Sequence, residues 1–231
     1  IDLEMDPDVV NAPRYSQYMK ASLLDIPSIS LVTENADMFG PSQGIYVNAY
    51  QHGEEWERHC SLELINPDNT IGFRVNAGVR IRGGASRTPG NPKHAFRLFF
   101  RKEYGPGKLL FPLFGDEGAA EFDKVDLRTE QNYSWSKDGD PHNTFLRDIF
   151  SRDTQRDMGQ PYTRGRYYHL YLNGMYWGLF QTEERADADY AETYFGDGED
   201  DYDVIKVSVE SWPYFNEATD GTMDSWQELW N

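Results

Sequence analysis

Three cationic residues and two adjacent glycines are the residues of this chain whose types could bind or react with a ligand. Arg80 and Arg82 are followed directly by Gly83 and Gly84, and Lys93 comes after a short turn region. Guanidinium groups bind phosphate oxygens in pairs, an ammonium group is a compact charge, and glycines let backbone donors approach an anion. The residues predict a cationic site for an anion such as phosphate. Chemistry alone leaves a second interpretation open, in which these cations only offset nearby carboxylates.

The cations lie on or beside two predicted strands. From Phe73 to Ile81 residues that can be buried alternate with polar residues or glycine, which is the two-residue period of a strand with one buried face. This period puts Arg80 and Arg82 on the same face of that strand. A second strand is predicted from Phe96 to Arg101, shortly after Lys93. The sequence therefore predicts a basic, glycine-bearing loop between neighbouring strands.

The remaining segments predict further short strands and a few helices. We expect residues 1–25 to be an extended lead-in and residues 26–231 to form the folded domain. Strands are predicted at residues 26–32, 44–47, 58–65, 124–128 and 204–207, a surface loop at 131–140, and helices at 143–158 (with Asn143 as N-cap), 187–195 and 223–230. Residues 166–172 and 175–184 predict a hairpin, because Asn173-Gly174 between apolar runs favours a tight turn. This order predicts an α+β fold, a mainly antiparallel sheet with packed helices.

Composition excludes several classes of function. The chain has 231 residues, a formal net charge of −17 and one cysteine, Cys60. Nucleic-acid-binding proteins normally have the opposite charge balance, so DNA and RNA are not expected as partners. One cysteine cannot form an intrachain disulfide, a multi-cysteine zinc site or a Cys-x-x-Cys redox centre, and we expect a buried core thiol. No apolar run reaches the roughly 20 residues that span a bilayer.

Other catalytic and metal-binding patterns fit the sequence less well. Ser86 nearly matches a nucleophile elbow, but Thr88 replaces the closing glycine and a strand follows where a helix is required. The chain has no Gly-x-x-x-x-Gly-Lys-Ser/Thr phosphate loop. Its five histidines show no paired helical spacing, which favours packing roles over metal binding. The acidic run at residues 197–201 lacks the spaced ligands of a calcium loop, which favours a solvated loop.

Short motifs follow one another along the chain in a recognisable order. They are Gly78-Val79-Arg80-Ile81-Arg82-Gly83, Pro92-Lys93, Phe96-Arg97-Leu98, Leu113-Phe114-Gly115-Asp116, Leu146-Arg147-Asp148, Tyr171-Leu172-Asn173-Gly174, and Tyr176-Trp177-Gly178-Leu179-Phe180 with Glu184 and Asp187. In this order they resemble the core signature of the CotH (spore coat protein H) family of atypical protein kinases. The sequence departs from that signature at His94, where a second lysine is usual, and at Gly84-Ala85, where Asn-Ser is common.

The resemblance implies a protein-kinase-like fold, ATP and Mg²⁺ as cofactors, and phosphoryl transfer to Ser or Thr of secreted or coat proteins. By that analogy Lys93 contacts the ATP phosphates and Arg80 and Arg82 assist it. Asp148 would orient Lys93 or Arg80, and Glu184 would lie at the hinge beside the nucleotide. Phosphoryl transfer depends mostly on positioning and charge neutralisation, which suits a cationic site.

The same resemblance predicts which parts of a kinase domain this chain contains. The family's catalytic and metal-binding aspartates belong to the second lobe, and we expect them beyond Asn231, so no catalytic residue or metal ligand is assigned. The chain is then a kinase-like N-lobe with the start of a second lobe, incomplete at its C-terminus. Its expected setting is secreted or at the cell surface, with a Ser/Thr-rich protein as substrate. The alternative function is a non-catalytic surface-adhesion or scaffold module that retains the fold.

Overall fold

The computed structural model describes residues 5–129, 144–208 and 212–230. Its strands are β1 (Ser28–Val32), β2 (Arg58–Ile65), β3 (Ile71–Arg82), β4 (Ala95–Phe99), β5 (Leu109–Leu110), β6 (Glu121–Phe122), β7 (Lys124–Arg128), β8 (Gly165–Leu172), β9 (Met175–Glu183), β10 (Val204–Ser208) and β11 (Phe215–Asp220). Its α-helices are α1 (Pro7–Val10), α2 (Met19–Asp25), α3 (Asn35–Phe39), α4 (Arg147–Asp157), α5 (Ala188–Phe195) and α6 (Asp224–Trp230). Strands and helices occur in one chain without a repeating βαβ unit, so the predicted α+β class is confirmed.

Seven of these strands close into a barrel in the order β1-β2-β3-β4-β7-β9-β8. Strand β1 runs antiparallel to β2 and parallel to β8, and this parallel pair closes the barrel. The other neighbouring strands of the barrel are antiparallel. The mainly antiparallel sheet is therefore confirmed. Its closure was not predicted, because it joins two strands that lie far apart in the sequence.

The barrel is filled by the side chains of alternate strand positions. Val79 and Ile81 of β3 and Phe96 and Leu98 of β4 are all buried in one apolar core. The register of β3 against β4 pairs Val79 with Leu98 and Ile81 with Phe96, so these four side chains share the inner face. The residues between them, which include Arg80, point to the outer face of the sheet.

The hairpin between β8 and β9 turns at the predicted dipeptide. Asn173 and Gly174 have φ angles of 50° and 81°, as the two central residues of a type I′ turn require. The Asn173 side chain also accepts a 2.9 Å hydrogen bond from the Thr33 backbone and donates one of 2.8 Å to Asn35. The turn is therefore confirmed, and it also fixes the hairpin to the segment after β1.

Cys60 is fully buried in the barrel core. Burial, with a contribution from the Glu57 charge, raises the pKa of this thiol to about 12. Because the thiolate is the reactive form, we expect a thiol reagent at pH 8 to leave the native protein unlabelled and to label it fully in denaturant. Labelling is measured by the absorbance of the released chromophore. Rapid labelling of the native protein would contradict the burial of Cys60.

Two predicted segments have a different structure. The lead-in at residues 1–25 is not extended throughout, since α1 and α2 lie within it. Asp6 caps α1 by accepting a 2.9 Å hydrogen bond from the Asp8 backbone, and Pro7 is its first residue, which is a favourable start for a helix. No strand forms at residues 44–47, where the chain makes turns. The Asn48 amide donates to the carbonyls of Gly44 and Pro41, and such local bonds compete with strand pairing.

The later helices agree more closely with prediction. Helix α4 begins at Arg147 rather than at residue 143, and its predicted cap Asn143 and the predicted loop at 131–140 lie outside the described residues. Helix α5 is capped by Asp187, which accepts a hydrogen bond of 3.2 Å from the Tyr190 backbone, and ends at Phe195, with Gly196 as its C-cap. The predicted strand at 204–207 is β10. Its partner β11 was not predicted, because residues 215–220 do not alternate between apolar and polar.

The chain divides into two compact units, residues 1–183 and residues 184–231. The barrel and α4 belong to the first unit. The second unit contains α5, the two-stranded β10–β11 sheet and α6. Within the described ranges, no helix has both the length and the apolar character that a bilayer span needs.

Candidate functional site

Lys93 lies in the loop between β3 and β4, and its ammonium contacts residues of β9. Its Nζ donates a 3.2 Å hydrogen bond to the Leu179 carbonyl oxygen and lies 4.8 Å from the centre of the Phe180 ring. Phe180 is fully buried and stacks on Phe96 at 6.1 Å. Burial lowers the pKa of Lys93 to about 8. This ammonium is thus held beside an apolar ring, where its charge is poorly solvated.

A glycine makes the space that the Lys93 ammonium occupies. Gly178 has a φ of +114°, and a Cβ placed on it would lie 2.6 Å from Lys93 Nζ. Only glycine adopts this backbone conformation without strain and also leaves room for the ammonium. The β9 segment therefore contributes both the space and the Leu179 carbonyl that the ammonium contacts.

Arg80 lies on the outer face of the barrel, where it meets a buried carboxylate. Its Nε donates a 2.7 Å hydrogen bond to Glu57 Oε2, and its guanidinium carbon lies 4.3 Å from the centre of the Phe99 ring. Arg101 approaches the other oxygen of Glu57, with 3.2 Å between Nε and Oε1. Glu57 therefore joins two arginines of the outer face.

Arg82 and Arg97 share a second buried carboxylate on that face. Asp126 is 2% exposed, and it accepts hydrogen bonds from Arg82 Nε at 2.9 Å and from Arg97 Nε and Nη2 at 2.6 and 2.9 Å. Burial alone would raise the pKa of Asp126. The hydrogen bonds and charges of Arg97 and Arg82 outweigh that effect, so its pKa lies below the ordinary value.

Asp148 connects helix α4 to the barrel. Its Oδ2 lies 2.8 Å from Arg128 Nε, and Gln181 Nε2 approaches the same oxygen at 3.5 Å. One turn further along α4, Arg152 forms an ion pair with Glu183, the last residue of β9. Asp148 therefore fixes the helix to strands β7 and β9. The sequence-based expectation that it orients Lys93 or Arg80 has no support in these contacts.

The structure does not bring the three predicted cations to one phosphate-sized spot. Arg80 and Arg82 point outward because Val79 and Ile81 fill the inward positions of β3. Lys93 contacts the inner face, so the arginines and the lysine lie on opposite sides of the sheet. The strand period correctly grouped the two arginines. It could not place Lys93, because a residue in a loop does not follow that period.

The loop between β3 and β4 is organised by an arginine that sequence reasoning did not select. Arg87 donates hydrogen bonds to the carbonyl oxygens of Ile81 at 2.6 Å, Gln51 at 2.7 Å and Ala49 at 3.1 Å, and also to Gly83. These bonds fix the loop to the segment before β2. A guanidinium group with several fixed donors suits this role, but nothing in the sequence shows which carbonyls it would meet.

Glu184 is the first residue of the second unit, and its carboxylate accepts a hydrogen bond from the Tyr194 hydroxyl of α5. The expected hinge at Glu184 stays a prediction. A contact between Glu184 and a nucleotide stays a prediction.

Several outer-face residues were not selected from the sequence. Arg97 and Asp126 alternate with apolar residues in β4 and β7, so the strand period could have placed both on the face of Arg82. Glu57 precedes β2 and belongs to no periodic pattern. Within the described ranges, no group of three His, Cys, Asp or Glu side chains is arranged to hold a metal ion, so no metal ligand is assigned.

Comparison with protein families supports the resemblance stated above. The family model described as CotH kinase protein matches residues 79–230. This range contains Arg80, Arg82, Lys93, Asp148 and Glu184. A comparison with curated proteins gave no significant match. The match begins inside β3 and includes the β3–β4 loop, α4 and the β8–β9 hairpin, whereas Glu57, Ala49 and Gln51, which contact Arg80 and Arg87, precede it. The chain therefore belongs to the CotH kinase protein family.

Proposed function

We propose that this chain is the nucleotide-binding part of an exported kinase that transfers a phosphoryl group from ATP to Ser or Thr of secreted or coat proteins. Family membership supports kinase chemistry. The observation that carries the proposal is the Lys93 ammonium, held against Phe180 in the space left by Gly178. A cation kept where burial disfavours its charge is typical of a functional group.

In this proposal Lys93 contacts the phosphate oxygens of ATP. An anion beside the ammonium would offset its lost solvation and return its pKa toward the ordinary range. The transferred phosphoryl group carries charge on its equatorial oxygens, and a positioned cation stabilises that charge. Lys93 would therefore both bind the nucleotide and favour transfer.

Arg80 and Arg82 act indirectly in this proposal. Their guanidinium groups are engaged by Glu57 and Asp126 on the outer face. They hold β3 in register with its neighbours, and β3 leads into the loop that carries Lys93. Mg²⁺, when bound with ATP, would neutralise phosphate oxygens, and its ligands stay unassigned.

ATP affinity is expected to fall as the pH rises from 7 to 9. The free Lys93 has a pKa of about 8, so its ammonium loses its proton over this range, and the anion favours the protonated form. The measurement is titration calorimetry of the full-length protein at several pH values. Lys93→Met should remove the pH dependence together with most of the affinity. A flat profile for the unsubstituted protein would contradict the assigned contact.

The direct test is phosphate transfer from labelled ATP to a Ser-rich acceptor by the full-length protein. We expect incorporation, and its loss in Lys93→Met. ATP that binds only the folded state must also raise the melting temperature. If the full-length protein bound no nucleotide and its melting temperature did not change, the kinase proposal would fail. The scaffold function would then be the better description.

A further inference from the structure

The hydroxyl group of Tyr46 makes hydrogen bonds on both sides of Lys93. It donates to the Pro92 carbonyl oxygen at 2.9 Å and accepts from the His94 backbone N–H at 3.2 Å. Burial raises the pKa of Tyr46, so the hydroxyl keeps its proton and can donate at neutral pH. One side chain therefore holds the backbone immediately before and immediately after the proposed phosphate-binding lysine.

The same ring contacts the other segment that meets the ammonium. The Tyr46 ring lies 5.3 Å from the Trp177 ring in an edge-on arrangement, and 4.8 Å from the His94 ring. Trp177 directly precedes Gly178, whose missing side chain leaves room for Lys93 Nζ. Tyr46 thus contacts both the loop that carries the lysine and the strand that receives it.

Tyr46 is itself held firmly by the barrel core. The preceding residue, Ile45, and Met38 of α3 are both buried in that core. The Tyr46 backbone N–H donates to the Met38 carbonyl at 2.9 Å, and that of Ile45 donates to Asp37 at 2.9 Å. A side chain projecting from such a fixed backbone can impose its position on the loop that it contacts.

The loop needs this support because strand pairing ends before Lys93. The ladder between β3 and β4 runs from Gly78 and Phe99 to Arg82 and Ala95. Residues 92–94 lie beyond it, so ladder hydrogen bonds do not fix them. A small displacement of a phosphate-binding group can remove much of its contribution to binding and catalysis.

We propose that Tyr46 is the positioning residue that holds the Lys93 ammonium at the place where it meets the phosphate groups. The proposal rests on the proposed function of Lys93. Tyr46 lies outside residues 79–230, the range that the family model matches, so family membership does not assign this role. With this positioning role, the proposed phosphate-binding site would depend on a segment that precedes the matched range.

The test compares Tyr46→Phe with Tyr50→Phe in the full-length protein. The first change removes the hydroxyl and keeps the ring contacts, so we expect the fold to form. Tyr50 lies in the same segment and is 59% exposed, so its substitution is a matched control. The first readout is the titration of the Lys93 side chain by nuclear magnetic resonance. The second is ATP affinity, measured by calorimetry.

In Tyr46→Phe we expect the Lys93 titration to move upward from about 8 toward the ordinary 10.5 as the ammonium leaves its site. We expect ATP to bind about tenfold more weakly, the equivalent of one or two lost hydrogen bonds. Tyr50→Phe should match the unsubstituted protein in both the Lys93 titration and the ATP affinity. An unchanged Lys93 titration in Tyr46→Phe would overturn the positioning role. If the unsubstituted protein bound no ATP, the proposed function would fail, and the titration would still decide whether Tyr46 positions Lys93.

Discussion

Lys93→Met is expected to remove most of the ATP affinity and, at the same time, to raise the thermal stability of the protein at pH 7; we expect no other single substitution to affect ATP binding as strongly. The ammonium is the proposed phosphate contact, so its removal eliminates the interaction. Its charge is also disfavoured in the folded state, because burial lowers its pKa to about 8. Methionine has a similar unbranched shape and packs well on an aromatic ring such as Phe180.

The pH dependence of stability provides a separate test of this environment. The folded pKa of Lys93 is about 8 and its ordinary value is 10.5. Between these values the unfolded chain binds a proton that the folded chain does not, so the free energy of unfolding gains a contribution that rises with pH. Below pH 8 the full cost of the buried charge is present. In Lys93→Met this rise between about pH 8 and pH 10.5 should disappear.

Lys108→Met is the matched control for this substitution. Lys108 forms a 2.9 Å surface ion pair with Glu121, and its side chain is 44% exposed. Such pairs contribute about 1 kcal/mol at most, so we expect little change in stability and none in ATP affinity. Denaturant unfolding at several pH values measures both variants. A loss of stability in Lys93→Met larger than that in Lys108→Met would show that the ammonium stabilises the fold.

Asp126→Asn is expected to destabilise the protein more than any other substitution considered. Asp126 is buried, and it accepts three hydrogen bonds from Arg82 and Arg97. Loss of its charge would leave two guanidinium groups close together without their common anion. Removal of one partner from a buried ion pair typically costs about 3–5 kcal/mol. In denaturant unfolding, this loss of stability should appear as a lower midpoint concentration of denaturant.

The Asp126 carboxylate also predicts a loss of stability in acid. Its folded pKa lies below the ordinary 3.8, so its contribution is fully present above that value and is lost as the pH falls through the folded pKa. In Asp126→Asn, the free energy of unfolding should not show the acid-dependent loss that comes from this carboxylate. The control is Glu63→Gln, since Glu63 pairs with Arg74 at 2.6 Å on the surface, where the expected cost is about 1 kcal/mol at most. Equal losses in the two variants would contradict the buried role of Asp126.

The sequence alone determined several strands, the hairpin turn and the family. The two-residue period of β3 showed that Arg80 and Arg82 share a face opposite Val79 and Ile81, and Asn173-Gly174 located the turn. These features depend on neighbouring residues, so a single chain segment carries enough information to predict them. The ordered motifs identified the family, which the match over residues 79–230 confirmed.

Only the tertiary structure decided which groups meet. The register of β4 against β7 pairs Arg97 with Asp126. The β3–β4 register pairs Arg82 with Ala95, from where its side chain reaches Asp126 on the same face. Lys93 reached the inner face, apart from the arginines, because a loop residue has no strand period to follow. Contacts such as Tyr46 with the backbone beside Lys93 join segments far apart in sequence. Their geometry depends on barrel closure and strand register, which no local pattern encodes.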